Sequence, residues 1–326
     1  MSSSLRLVFL GSDPVALPLL NWLDGEGRSA AKVVAVFTQP DRAVGRGQQI
    51  QPNAIKTWAL RRDLPVHQPE KLTPEVRADL AALNADVALV MAYGHILRDE
   101  FIATPRLGTL NLHTSILPRY RGASPIQSAI ASGERETGVT LMRIVKKLDA
   151  GPVAGVERVP VGWLDTAAEI EAALAAACVP LLARTLPRLA TGSLEFAAQD
   201  DSAATYCRKL GKEDGVLDFT APATALAARI NGLFPWPACR VELGGQPVRI
   251  GLAEALPDAS AGEAGTVLGP DADGLLVATG NGVLRLRRLQ RPGGRMLTAL
   301  EFLRGCPVPA GTLVPSQPMP PLVTRR

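Results

Sequence analysis

The chain has 326 residues, 47% of them hydrophobic and 20% charged, and a net charge of +4. That length suits two domains and the apolar share suits a sizeable core, while no apolar run approaches the roughly 18 to 20 residues of a membrane span. The start, Met1-Ser2-Ser3-Ser4-Leu5-Arg6, lacks the layout of a secretory signal; Cys178, Cys207, Cys239 and Cys306 are widely spaced beside only 3 histidines, which argues against a disulfide framework or a zinc cluster and for a reduced, cytoplasmic protein.

Arg6 to Gly11 reads as a first strand, and Ser12-Asp13-Pro14 opens a helix whose apolar pattern runs from Val15 to Leu23. Lys32 to Phe37 is a second strand, followed by a loop rich in glycine and arginine. Asn53 to Arg62 and Pro74 to Leu83 read as helices, and Ala85 to Tyr93 as a buried strand ending at Gly94. Strands alternating with helices predict an α/β domain, a Rossmann-like, mostly parallel sheet with ligands at the carboxyl ends of its strands. Gly11-Ser12-Asp13 departs from the GxGxxG pattern, so no dinucleotide site follows.

Leu107 to Leu110 is a short strand with Asn111 and His113 emerging near its end. Ile126 to Ser132 reads as a helix, Gly138 to Val145 as a strand, and Thr166 to Leu189 as a largely buried helix with a break at Pro180. After Gly192 the chain turns polar, and Gln199-Asp200-Asp201-Ser202 reads as linker. A helix from Pro222 to Asn231 then precedes short strands at Val241–Leu243, Val248–Leu252, Gly265–Leu268, Leu275–Thr279 and Val283–Leu289, a compact β domain. The proline-rich end, Val314 to Arg326, reads as a poorly ordered tail. These boundaries predict a catalytic domain over 1–190, a linker over 191–207, a second domain over 208–313 and a tail over 314–326.

Residues two apart on an extended segment point to one side. An amide at Asn111 and an imidazole at His113 therefore face one spot, a pairing suited to stabilising and protonating the oxygen of a reacting carbonyl. Asp149, in the turn Leu148-Asp149-Ala150-Gly151, is the carboxylate that could orient such a ring. Taken singly, each of the three also has an ordinary role: a hydrogen-bonded histidine, a turn-forming aspartate, a local cap. His67 and His95 lack comparable partners and are read as structural.

The run Asn111-Leu112-His113-Thr114-Ser115-Ile116-Leu117-Pro118-Arg119-Tyr120-Arg121-Gly122, with Leu148-Asp149-Ala150-Gly151, resembles the signature of the folate-dependent formyltransferases. Thr38 to Gly47, Thr205 to Asp214 and Asn231-Gly232-Leu233-Phe234-Pro235-Trp236-Pro237 are similar to segments of the branch that formylates methionyl-tRNA, so the resemblance covers nearly the whole chain. It implies Asn111, His113 and Asp149 as the catalytic trio and Ser115, Ile116, Leu117 and Pro118 as cofactor contacts. It further implies 10-formyltetrahydrofolate as co-substrate without a metal, an OB-like fold for the second domain, and a monomer that meets initiator methionyl-tRNA and no membrane. Arg42 and Arg46 become contacts for the tRNA acceptor end. Gln48 and Gln49 stand where relatives commonly have lysines, and Lys146-Lys147 where an acidic residue and glycine are usual.

Charge follows the same division. Residues 1–204 carry 21 Lys/Arg and 21 Asp/Glu, whereas residues 205–326 carry 14 and 10. Arg285, Arg287, Arg288, Arg291 and Arg295 fall in a stretch without acids, Gly274 to Leu300. Such a basic face binds polyanions by releasing their counterions; it can equally be a solvated strand edge. With the resemblance, Arg285, Arg287 and Arg288 become candidate tRNA contacts. The alternative acceptor is the amine of a UDP-sugar, which needs neither the Arg42 loop nor this cluster.

Overall fold

The computed structural model describes residues 4–44, 47–257, 259 and 262–325. In chain order, β1 (Leu5–Leu10) leads to α1 (Leu17–Asp24), β2 (Ala31–Phe37), β3 (Arg42–Val44), β4 (Gln49–Gln51), α2 (Ala54–Leu60), β5 (Val66–His67) and α3 (Pro74–Ala82). There follow β6 (Val87–Val90), α4 (Asp99–Ile102), β7 (Thr109–His113), β8 (Arg121–Gly122), α5 (Pro125–Ala131), β9 (Glu136–Arg143), β10 (Val153–Pro160) and α6 (Ala167–Ala190).

These elements build a seven-stranded sheet in the order β10-β9-β7-β6-β1-β2-β5. β1 pairs in parallel with both β2 and β6, β6 pairs in parallel with β7, and β7 pairs antiparallel with β9. Central strands of such a sheet are covered on both faces, which is why β1 and β6 read as continuous apolar runs rather than alternating ones. Leu7, Val8, Phe9 and Leu10 are fully buried. Strand order reverses between β1 and β6, the place where open α/β sheets hold ligands beyond their carboxyl ends. Helix starts follow local chemistry: the Asn53 side chain accepts from the Ile55 and Lys56 amides, and Thr73 caps α3 with Pro74 at its first position.

The remaining chain adds β11 (Tyr206–Cys207), α7 (Ala223–Leu233), β12 (Arg240–Leu243), β13 (Gln246–Leu256), β14 (Val267–Pro270), β15 (Leu275–Ala278), β16 (Val283–Gln290), β17 (Leu297–Thr298), α8 (Ala299–Gly305) and β18 (Val323–Thr324). β12-β13-β16-β15-β14 form an antiparallel, OB-like half-barrel, with β17 paired to β16. Its core gathers Phe219, Leu226, Ile230, Val248, Ile250, Leu284, Leu286 and Phe302.

Compactness divides the chain differently from a cut at residue 190. One unit comprises Met1–Arg121, Gly138–Val159 and Ala172–Ala204; the other comprises Gly122–Thr137, Pro160–Glu171 and Thr205–Arg326. α5 therefore belongs with α7, against which it packs, and most of the expected linker belongs to the first unit.

Three expectations need correcting. The tail is ordered: β18 pairs antiparallel with β11, Val314 and Leu322 are buried, the Gln317 amide donates to the Leu217 carbonyl, and Ser316 Oγ accepts from the Phe219 amide. Prolines remove donors and so forbid regular ladders, but their carbonyls and rings still pack. α6 runs unbroken through Pro180 and Pro187, and by length and composition it is apolar enough to cross a bilayer, contrary to the sequence reading. Here Leu174, Cys178, Leu181, Leu182 and Leu186 of α6 are buried. Cys178, Cys207, Cys239 and Cys306 are buried free thiols, and burial pushes Cys178 and Cys239 up to about 12.

Candidate active site

Strand β7 is longer than the sequence suggested and includes both Asn111 and His113. Its register places Asn111 between Val90 of β6 and Met142 of β9, and His113 beside Thr140. Alternation sends Leu110 and Leu112 to one face and Asn111 and His113 to the other. Asn111 is half-buried, and no hydrogen bond among the described residues occupies its side-chain amide.

His113 is 6% exposed and is held at both nitrogens. Nε2 lies 2.9 Å from the Tyr120 carbonyl oxygen. A carbonyl can only accept, so Nε2 carries a hydrogen and Nδ1 is the nitrogen open to proton exchange. Nδ1 faces Asp149 Oδ2 at 3.7 Å, within ion-pairing range and longer than a hydrogen bond. A proton taken up at Nδ1 would thus sit opposite a carboxylate.

Asp149 owes its position to an unusual backbone. Its φ is +46°, left-handed for a residue with a side chain. Two residues on, a Cβ at Gly151 would collide with the Arg143 carbonyl, so the turn can close against β9 only with glycine there. The other motif glycine, Gly122, has φ +114° and lies against the Cys207 carbonyl, a second place where no side chain fits.

The loop after β7 is tied internally. Ser115 Oγ donates to the Arg119 carbonyl at 2.7 Å, Thr140 Oγ1 donates to the Ser115 carbonyl at 2.6 Å, and the Leu117 amide donates to Thr140 Oγ1 at 3.2 Å. Ser115 and Leu117 are buried, whereas Ile116 and Pro118 are half-buried. The serine hydroxyl is therefore spent on shaping the loop, and Ile116 and Pro118 present more surface to a ligand. Beyond β6, the Tyr93 hydroxyl and His95 Nε2 are buried without a hydrogen-bond partner among the described residues, and Ile96 is 92% exposed. Unpaired buried polar atoms are costly, a feature of this loop that its lone histidine did not signal.

The basic loop is a hairpin, β3 paired with β4, with Arg42 opposite Gln51 and exposed. Its base is fastened by Asp41, which pairs with Lys56 at 2.7 Å and accepts from Gln68 at 2.8 Å. Arg46 lies outside the described residues. In the second unit, Arg285 and Arg287 share a face as predicted, but that face is not freely cationic. Arg285 pairs with Asp271 at 2.5 Å and Glu254 at 2.8 Å, and Arg287 with Glu254 at 2.7 Å and Asp273 at 3.5 Å. Arg288, Arg291 and Arg295 are exposed. A cavity of about 750 Å³ in this unit, lined by Ile130, Trp163, Ala225 and Ala255, contains none of the candidate residues.

Comparison with known proteins shows the family. The formyl transferase family matches residues 5–186, and the formyl transferase C-terminal domain matches residues 209–307. The fold and the site at its strand ends thus define a formyl transferase. The methionyl-tRNA formyltransferase of Ectopseudomonas mendocina is 43% identical over 298 residues, 91% of this chain and 93% of that protein. That of Halorhodospira halophila is 40% identical over 314 residues, 96% of this chain and 99% of that protein. The chain belongs to the methionyl-tRNA formyltransferase family. Among solved structures, the sugar 3N-formyl transferase WlaRD matches with a TM-score of 0.65 at 15% identity, over 86% of this chain and 96% of that one. HypX from Aquifex aeolicus, in complex with tetrahydrofolic acid, matches with a TM-score of 0.61 at 17% identity, over 92% of this chain and 47% of that one. At these identities the two share the fold alone.

Proposed function

We propose that Asn111, His113 and Asp149 carry out the formyl transfer by which this enzyme converts initiator methionyl-tRNA to formylmethionyl-tRNA, with 10-formyltetrahydrofolate as donor. The observation that carries the assignment is His113 Nδ1 facing Asp149 Oδ2 at 3.7 Å, with Asn111 two residues before His113 on β7 and so on the same side of it. The methionyl nitrogen forms a bond to the formyl carbon, and the bond from that carbon to the folate nitrogen breaks. The amine loses a proton and the folate nitrogen gains one. Asn111 donates to the oxyanion of the tetrahedral intermediate. His113 carries the proton on Nδ1, and Asp149 faces the imidazolium that results. No step requires a metal.

Ser115 to Pro118 form the wall of the folate site, with Ile116 and Pro118 in contact. Arg42 on the hairpin, together with Arg46, meets the acceptor end of the tRNA. Arg288 contacts phosphate, together with Arg291 and Arg295; the ion pairs of Arg285 and Arg287 leave those two a smaller share than the basic stretch implied. The enzyme works as a monomer in the cytoplasm.

The test is turnover with 10-formyltetrahydrofolate and charged initiator tRNA, for the wild type and for Asn111→Ala, His113→Ala and Asp149→Ala. Each variant should lose on the order of a hundredfold or more in kcat, because the contacts strengthen as charge develops, while folate affinity measured by calorimetry stays within a fewfold. Wild-type turnover in any of the three would remove that residue from the chemistry. Preference for a UDP-sugar amine over the tRNA at equal concentration would replace the acceptor.

A further inference from the structure

The polar stretch after α6 reaches the Asp149 turn. Gln199 Nε2 donates to two carbonyls of that turn, Asp149 at 2.8 Å and Gly151 at 2.7 Å. Gln199 Oε1 accepts from Arg121 at Nη2 (2.7 Å) and Nε (3.1 Å). The Arg121 side chain is fully buried, and its Nη1 pairs with Asp201 at 2.8 Å. Asp201 in turn holds Lys147 Nζ at 2.5 Å, and the Lys147 carbonyl accepts from the Ala150 amide at 3.2 Å. The five residues 147–151 are therefore gripped at their start by Asp201 and at their end by Gln199, with a buried guanidinium behind both.

This arrangement has a physical purpose at Asp149. The left-handed region is unfavourable for a residue with a Cβ, so the turn needs outside contacts to hold it. One side-chain amide fixes two carbonyls of the turn. The buried charge of Arg121 needs acceptors, and the two residues that grip the turn are among them.

We propose that Gln199 is a positioning residue for formyl transfer, holding the Asp149 turn so that the carboxylate faces His113 Nδ1, with Arg121 and Asp201 as its supports. The proposal rests on the assignment of Asp149 to the chemistry. Gln199→Glu separates positioning from stapling: it keeps side-chain length and an acceptor for Arg121, but puts a carboxylate oxygen where the two carbonyls need a donor. Displacements near 1 Å in an active site cost on the order of a hundredfold. Q199E should lower kcat by at least about tenfold and leave the KM for tRNA and for folate within about twofold of wild type.

Residues acting as one unit are non-additive. In an Asp149→Asn background Q199E should therefore lower kcat by less than about threefold further. A kcat within about twofold of wild type, a loss confined to KM, or the same loss in both backgrounds would overturn the proposal while leaving Asp149 in place. Wild-type kcat for D149N alone would remove the assignment beneath it, a result read without any Gln199 variant. Should Q199E not fold by thermal melting, Asp201→Asn at the exposed end of the same contacts replaces it. A fall in kcat of at least about threefold at unchanged KM then supports positioning, and unchanged kcat overturns it.

Discussion

Asp214 shows how one buried carboxylate ties sequence motif to stability. It lies in the run that opens the second domain, with a fully buried side chain, and accepts from the Gly211 amide and from both terminal nitrogens of Arg208. Its own carbonyl accepts from Arg229 at 2.9 Å. Burial pushes the carboxyl up, but the Arg208 pair and the Gly211 amide outweigh it, so Asp214 titrates below its ordinary value. A carboxylate depressed in the folded state stabilises above its unfolded pKa of about 3.9 and loses that contribution as pH falls through the folded value. Asp214→Asn should cost about 2 kcal/mol at pH 7, and the gap should close below about pH 4. Urea melts at several pH values measure this; a gap independent of pH would show that ionisation of Asp214 contributes nothing. The motif resemblance pointed to this segment without indicating that its acid serves the fold.

At the scale of elements, the hairpin of β3 and β4 and the segment from β16 to Arg295 carry arginines proposed to meet nucleic acid. Arg42→Leu should weaken tRNA use and lower turnover while sparing folate binding, since the Asp41, Lys56 and Gln68 contacts at the hairpin base remain. A calorimetric loss of folate affinity in this variant would place Arg42 at the cofactor instead. On β16, the sequence stretch without acids suggested an open basic face. Alternation along the strand did put Arg285 and Arg287 together, but register set Arg285 beside Glu254 of β13, and the turn after β14 brought up Asp271 and Asp273. Counterion release depends on cations that are free to meet phosphate. In a salt titration of tRNA binding, replacing Arg288, Arg291 and Arg295 by glutamine should flatten the slope by up to about three. Replacing Arg285 and Arg287 should change the slope less and cost stability. The reverse ranking would return the phosphate contacts to the paired arginines.

Over the whole molecule, two compact units are each assembled from separated stretches of chain, so neither is a simple N- or C-terminal half. The C-terminal end shows what this means energetically: Leu322, 7% exposed, packs into the second unit's core. Leu322→Ala should cost about 2 to 3 kcal/mol, read as a lower thermal midpoint; a change within about 0.5 kcal/mol, the surface range, would mean that the end merely rests on the unit.

Local signals were sufficient for much of this protein. Apolar runs bounded by glycine and proline marked β1, β2 and β6, and caps marked α2 and α3, because each depends on neighbours within a few residues; Asn111, His113 and Asp149 were nominated by short motifs. The hydrogen bonds of Gln199 to a turn about fifty residues earlier, the acids opposite Arg285, the packing of a proline-rich end and the alliance of α5 with α7 were decided only by tertiary structure. In each case the partner is far along the chain, and no local periodicity encodes which distant donor, acid or apolar face the fold will bring up against it.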